Sequence, residues 1–447
     1  MSYNNKFSEK PFERASKTAH SHIINDSEVK KFLAECSYPP LASEIDSNDF
    51  ALETLNETAK NPIKTIIAID GGYTNEIIRS SFPSATFAFL QFGAVYFSYK
   101  DLLELKQKAF IDPSDMAKLQ NIERFKLAIP TKGIVLQSER DLISSVRKAI
   151  YNFFMGNPTN EEETLMTALN WLIFEEFDVT AKVEKWHLSR CPFCDNGVDI
   201  VKNTVDKSYT FKCPYCGETL YLTDVFRLHE IMDNEHGASG ILGFLTTAIE
   251  HTIIVYFIKR LLAIKPILLS EILFIKDGSL AFFGQTANIH KPMRKLIGFL
   301  QKKHDIYLVG LEKSGTFAEH AAQVSQKLSD NQIMLLGNKY IYKYIVPGKS
   351  EENLPYGSTT YYGQKVIFKA KNDYTYVATI PCEKLVSEPQ FGDLKNLDVI
   401  LRNVAALKCN LYSNSLLPVV LANKLVSLSS HPSSKLLRDF VKGNLGR

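Results

Sequence analysis

The sequence predicts an α/β fold: a mixed sheet flanked by helices, with a small cysteine-rich module set into it. Three observations carry that expectation. Short apolar runs rich in β-branched and aromatic residues recur between stretches whose apolar residues have helical spacing. Two of those runs lead into Asp-Gly pairs, at Asp70-Gly71 and Asp277-Gly278. Two Cys-x-x-Cys pairs, Cys191 with Cys194 and Cys213 with Cys216, are separated by eighteen residues.

Composition supports a folded chain before any motif is read. The 447 residues are 45% hydrophobic and 23% charged, inside the globular range and outside disordered or fibrous compositions. That length suits one large domain with insertions, or two or three smaller ones. A formal net charge of +3 neither requires nor opposes a nucleic-acid partner. Residues 1–20 carry Lys6, Lys10, Arg14 and Lys17 without an apolar core, so no secretory signal is read there and a cytoplasmic location is expected. The most apolar stretch, 241–258, has Glu250 and His251 at its middle and is closed by Lys259 and Arg260. It reads as a buried amphipathic helix, and no membrane span is expected.

In chain order, residues 1–61 read as a loosely attached polar arm with a short helix at 28–36 and a break at Pro39-Pro40. A first core segment, 62–186, opens with a strand at 65–69 that ends in Asp70-Gly71-Gly72, and paired strands follow within 85–99. Residues 102–154 read as mostly helical, with a strand candidate at 133–136, then a polar loop at 157–163 and a helix at 164–177. The cysteine-rich insertion spans 187–229, and a second core segment spans 230–447. The region 222–263 reads as largely helical. Strands are expected at 272–275, 306–309, 365–370 and 374–380, and helices at 291–303, 316–327 and 396–408. No internal repeat is found.

The spacing of Cys191, Cys194, Cys213 and Cys216 allows four thiolates to converge on one tetrahedral Zn2+, which is the signature of a zinc ribbon. A closed four-sulfur shell leaves no position for water, so the expected role is a staple for the fold rather than catalysis. Lys202, Lys207 and Lys212 leave a contact with DNA or a partner open. Gly197 and Gly217 mark where each knuckle turns back, and 208–211 offers a strand between them. His187 and His229 flank the module and read as surface or packing residues, while the single Cys36, Cys382 and Cys409 read as small core residues.

If the strands before Asp70 and Asp277 are neighbours in one sheet, both carboxylates emerge at the same edge. Glycine after each leaves room for a phosphate or an ion to approach the backbone. Taken singly, each Asp-Gly reads as a turn. A buried, unpaired Glu250 would be costly; a metal ion answers that cost, as would a partner such as Lys259 or Arg260, or an exposed face. Hard oxygen ligands suit Mg2+ or Mn2+, and two such ions can clamp the attacking and leaving oxygens of a phosphodiester displacement. Lys313, in Gly310-Leu-Glu-Lys-Ser-Gly315, is either a phosphate or leaving-group contact or an ordinary surface lysine. The chain has no Walker-type phosphate loop, no nucleophile elbow and no His-Glu-x-x-His helix, so it is not expected to hydrolyse ATP by itself.

These residues resemble a family. Ile67-Ala-Ile-Asp-Gly-Gly72 is similar to the opening motif of the NurA nucleases, and Leu273-Phe-Ile-Lys-Asp-Gly-Ser-Leu280 to their second strand motif. The strand running into Gly310-Leu-Glu-Lys313 resembles the family's next strand and its lysine, and Leu417-Pro-Val-Val-Leu-Ala-Asn-Lys-Leu425 its C-terminal helix. The resemblance implies an RNase H-like fold and a homodimer. It implies Mn2+- or Mg2+-dependent cleavage of DNA, with Asp70, Glu250 and Asp277 as metal ligands and Lys313 as electrostatic support. It also implies a HerA-type hexameric ATPase that translocates DNA, in end resection or anti-phage defence. The chain departs from the pattern in three places. Glu250 lies further from Asp277 than is usual, with Glu271 nearer. Many members carry histidine where this chain has Asn423, so either Asn423 or His431 completes the site. The zinc ribbon is an insertion beyond the minimal core. Two rival readings stand beside the nuclease: a non-catalytic zinc-ribbon adaptor for DNA or an ATPase, and a ribonuclease or RNA-binding protein.

Overall fold

Nine strands form one mixed sheet in the computed structural model, which describes residues 19–58, 60–79, 84–106, 122–156, 163–204, 206–348, 354–409, 415–428 and 433–445. The strands before the cysteine-rich segment are β1 (Ala51–Thr54), β2 (Thr65–Arg79), β3 (Ala85–Ser98) and β4 (Ile122–Lys132). The segment itself holds two small hairpins, β5 (Lys185–Leu188) with β6 (Val198–Val201), and β7 (Thr210–Lys212) with β8 (Thr219–Tyr221). Beyond it come β9 (Ile272–Asp277), β10 (Tyr307–Glu312), β11 (Gln332–Leu335), β12 (Gly363–Lys369) and β13 (Thr375–Pro381). The order across the sheet is β1-β11-β12-β13-β10-β9-β2-β3-β4. Neighbours β2, β3 and β4 are antiparallel, whereas β9 runs parallel to β2 and β10 parallel to β9. Three antiparallel strands with two more parallel to the first form the RNase H-like arrangement, so the expected fold class is met.

Alternation along the strands sorts side chains into two layers. Ile67, Ile69, Phe274 and Leu308 join the core beneath the long helix Leu242–Ile264. Ile66, Ala68, Leu273, Ile275 and Val309 join a second core beneath the helices Leu397–Ala406 and Leu417–Val426. Leu273, Phe274 and Ile275 are all fully buried, as parallel strands covered on both faces must be, and each contributes about 2 kcal/mol by leaving water. By the same parity Asp70 and Asp277 face the second layer and Lys276 faces the first.

Several elements differ from the sequence reading. No strand forms at 133–136; the strand lies just before it, as β4, inside a region read as helical. Its buried Phe125, Leu127 and Ile129 have a period of two, and Pro130 is tolerated because β4 is an edge strand. Strand β2 does not end at Asp-Gly-Gly but continues to Arg79, paired with β3 throughout. The region 222–241 holds 3-10 turns, and the α-helix begins only at Leu242. That helix is buried from Ala248 through Ile258, on every side, so it is a central core helix rather than an amphipathic one. The segment before residue 62 is not all loosely held. Helix Ser27–Glu35 forms, capped by Asp26, and has no buried residue. Further on, Ile45 is buried, Lys343 Nζ meets Asp49 Oδ2 at 2.8 Å, and β1 pairs with β11.

The cysteine-rich segment is fastened to the helix Leu142–Met155 by Arg147. Its guanidinium makes two bonds to Asp224, Nε to Oδ1 at 2.8 Å and Nη2 to Oδ2 at 2.7 Å, with both side chains buried, and lies 4.8 Å from the Phe193 ring centre. Arg147→Ala leaves the Asp224 charge buried without its partner. A loss of about 3–5 kcal/mol in chemical denaturation is expected, and a loss under about 1 kcal/mol would show that the clasp is redundant.

Candidate active site and four-cysteine site

Strand pairing fixes where the acids lie. The β2–β9 ladder ends at Ile69 opposite Lys276, so Asp70 and Asp277 follow together where the two strands part. Both side chains face the second layer. Lys313 follows β10, has the same parity, and its Nζ lies 2.7 Å from Asp277 Oδ2. Glu250 arrives from the opposite layer on the helix Leu242–Ile264, and it can do so because Gly71 has no side chain. A Cβ at Gly71 would stand 3.1 Å from Glu250 Oε1 and 2.6 Å from the Phe92 ring. The site therefore straddles the sheet.

Asp70 is 4% exposed, and its Oδ2 has no hydrogen-bond partner among the described residues. Burial, then the charges of Asp277 and Glu250, push its carboxyl up to about 7; Lys313 and the Gly71 amide act the other way. Glu250 is also raised by burial, against the opposing pull of Lys276, whose Nζ lies 2.8 Å from Glu250 Oε2. The structure thus brings Asp70, Glu250, Asp277 and Lys313 into one electrostatic neighbourhood. The partner of Glu250 is Lys276, not the sequence candidates: Lys259 pairs with Glu163, and Arg260 Nη1 lies 3.4 Å from Glu123 Oε1. Glu271 is at the other end of β9, bonded to Lys64 at 2.5 Å. Asn423 is exposed on the helix Leu417–Val426, whose Val426 packs against Gly93, the residue opposite Asp70 in register. His431 lies outside the described residues.

Sequence reasoning missed Lys276. Its signal was a lysine directly after the apolar run Ile272-Leu-Phe-Ile, within the same strand, where a buried countercharge lets it stay. Its neighbour in the first layer, His251, is buried, with Nδ1 2.7 Å from the Thr247 carbonyl oxygen; burial holds the imidazole well below its ordinary pKa.

The four cysteines do converge. Among the described residues they are the group of three or more ligating side chains whose donor atoms all lie within 4.8 Å of one another; the three acids do not close so far. Cys191 Sγ to Cys216 Sγ and Cys194 Sγ to Cys213 Sγ are both 3.8 Å, the separation a tetrahedron with metal–sulfur bonds of about 2.3 Å requires. The backbone amides of Cys191 and Cys213 close the two knuckles onto Asn196 and Glu218. The left-handed turn residues are Asp195 and Gly217, so in the first knuckle the turn falls on Asp195 and not on Gly197. His187 is paired with Asp199 and His229 bonds to the Arg190 carbonyl at 2.9 Å, so neither belongs to the sulfur cluster.

The NurA domain family matches residues 64–426. No curated protein matches the sequence. Three solved chains match, among them the crystal structure of the NurA nuclease from Sulfolobus solfataricus. That chain is 10% identical, with 97% of this chain and 98% of that one covered and a TM-score of 0.34. Because the family match spans most of its length and takes in both aspartate strands, the glutamate helix and the proline-led C-terminal helix, this chain belongs to the NurA domain family.

Proposed function

We propose that this chain is a divalent-metal-dependent nuclease that hydrolyses DNA phosphodiesters. The observation that carries the reading is the buried, unpartnered Oδ2 of Asp70, set beside Asp277 and within the field of Lys313. Such an oxygen costs free energy unless a cation meets it. The donors are carboxylate oxygens, which suit Mn2+ or Mg2+, so the residues fit the ion. Asp70 and Asp277 would hold it, with Glu250 reaching in past Gly71. When bound, the ion supplies Lewis-acid charge at the phosphate and lowers the pKa of an attacking water.

The remaining work falls to the chain. In the hydrolysis, the oxygen of water bonds to phosphorus, the bond from phosphorus to the leaving oxygen breaks, and a proton passes to that oxygen. Lys313, partly exposed and tethered by Asp277, is the cation that can meet the charge developing on the phosphate or the leaving oxygen. The glycine after Asp70 leaves the room through which Glu250 reaches the site, and the glycine after Asp277 lies beside the Lys276 ammonium. Lys313→Ala is expected to lower kcat about 10²- to 10³-fold while the unfolding midpoint barely moves. An unchanged kcat would return Lys313 to the surface.

Family membership supports DNA as the substrate and extends the reading to Mn2+ or Mg2+, a homodimer and a HerA-type hexameric ATPase, in end resection or anti-phage defence. The missing Walker motif fits a motor on a separate chain. The four-sulfur site holds Zn2+ as a structural ion in this reading. The deciding experiment offers purified protein linear DNA and matched RNA with Mn2+. Cleavage of DNA that is lost in Asp277→Asn is expected. DNA binding without hydrolysis, even with the motor present, would leave the adaptor reading instead, and preferential RNA cleavage would redirect the substrate class.

A further inference from the structure

We propose that Lys276 is a built-in counter-cation that makes the carboxylate cluster a one-ion site, its ammonium holding Glu250 where a second divalent ion would otherwise be needed. The proposal rests on the nuclease reading above and adds the number of ions to it.

Lys276 is 3% exposed, the last residue of β9 paired with β2 before the strands part. Its Nζ lies 2.8 Å from Glu250 Oε2 and donates to the carbonyl oxygen of Asp277 at 2.6 Å. Gly278 follows with φ +91°, a conformation that favours glycine, and a Cβ there would lie in ordinary contact with Nζ at 3.4 Å. The contact engages one oxygen of Glu250 and leaves Oε1 on the Gly71 side.

Charge counting gives the consequence. Asp70, Glu250 and Asp277, when ionised, carry three negative charges, and Lys276 with Lys313 carries two positive ones, leaving one negative charge. One divalent ion turns that to one positive charge, which the single negative charge of a phosphodiester neutralises. Two ions would leave the substrate complex with two uncompensated positive charges in a largely buried place, where like charges a few ångströms apart repel strongly. A site without Lys276 would have the charge to accept the second ion. The geometry agrees, because Asp70 Oδ2 is an unpaired ligand atom while Glu250 Oε2 is already taken.

The test counts bound ions in zinc-loaded, full-length protein without DNA, by calorimetric titration with Mn2+ and by the electron paramagnetic resonance signal of free Mn2+. Wild type is expected to bind one Mn2+ that Asp70→Asn abolishes. Lys276→Met is expected to bind two, and Lys276→Arg to bind one. Two ions in wild type, or one ion at unchanged affinity in Lys276→Met, would overturn the proposal while leaving the nuclease reading intact. Should Lys276→Met fail to fold, the paired variant Lys276→Met/Glu250→Gln removes both charges together and is expected to fold and bind one ion; two ions there would equally overturn it. No Asp70-dependent Mn2+ binding at all in wild type would sink the nuclease reading and this proposal with it.

Discussion

Asp70→Asn is expected to abolish hydrolysis, a fall of about 10³-fold or more, and at the same time to make the metal-free protein more stable at neutral pH. The second half follows from the sign of the pKa shift. Asp70 is raised from 3.8 to about 7 in the folded chain. Its contribution to stability is fully present below about pH 4, where both states hold the proton, and is lost as pH rises through 7, because the unfolded side chain ionises freely and the buried one does not. A shift of about three units corresponds to about 4 kcal/mol once the pH is above 7. Asparagine removes that penalty. Denaturation without divalent ions should therefore give equal stability for wild type and variant near pH 4, and an advantage for the variant of several kcal/mol near pH 8. Added Mn2+ should reverse the order, since only wild type can gain from it. Binding of Mn2+ to wild type should weaken about tenfold for each pH unit below 7, as the proton competes for the same carboxylate. A variant less stable than wild type at pH 8 would mean that Asp70 serves the fold as a hydrogen-bond acceptor, and the ligand role would have to be given up.

Loss of the ion from the four-cysteine site is expected to have the largest effect on stability. The module's own core consists of Cys191, Val198, Cys213 and Leu220, two of them ligands. So small a core cannot hold two short hairpins together, and structural Zn2+ commonly contributes about 10–16 kcal/mol to such modules. Burial pushes the Cys191 thiol up to about 12, whereas the hydrogen bond from the Asn196 backbone amide brings Cys194 down to about 7. Without metal, Cys191 is a neutral thiol at neutral pH, so binding must release its proton and affinity must fall steeply with acidity. Cys213→Ser, or a strong chelator, is expected to bring zinc below one atom per chain in elemental analysis and to open the region between β5 and β8 to protease. The damage should spread to the helix Leu142–Met155, because Arg147 joins the two, and lower the main unfolding midpoint by about 10 °C, which at this chain length corresponds to about 9 kcal/mol. A variant that keeps its midpoint would show the module to be an independent appendage.

What the sequence made legible was what short spacing encodes. The two Cys-x-x-Cys pairs lie within one folded unit, so the cysteine cluster could be read directly along with the fold class, and each candidate aspartate is announced by its own apolar run. Glu250 was visible as an acid in an apolar helix, but its partner was not: Lys276 is far away in sequence and meets it only because two layers pack across β9. The same blindness hid β4, whose alternating Phe125, Leu127 and Ile129 are outvoted locally by helix-forming neighbours and become a strand only because β3 offers a partner. The continuation of β2 through Gly71 and Gly72 was hidden for a related reason. Glycine argues for a turn when read locally, yet here the missing side chains make way for Glu250 on one face and for the Val426 backbone on the other. Local chemistry names the acids; long-range packing decides which cation each one faces.

The straddling of the sheet carries a consequence for when the site comes into being during folding. Neither hydrophobic layer alone holds more than part of the acid set: one contributes Glu250, the other shelters Asp70 and Asp277. A nascent or half-unfolded chain in which only one layer has docked carries an incomplete set of acids. Capture of an ion across the junction should also tie the two layers to a common fate, so that amide protons in Leu242–Ile264 and in Leu417–Val426 exchange more slowly together when Mn2+ is added.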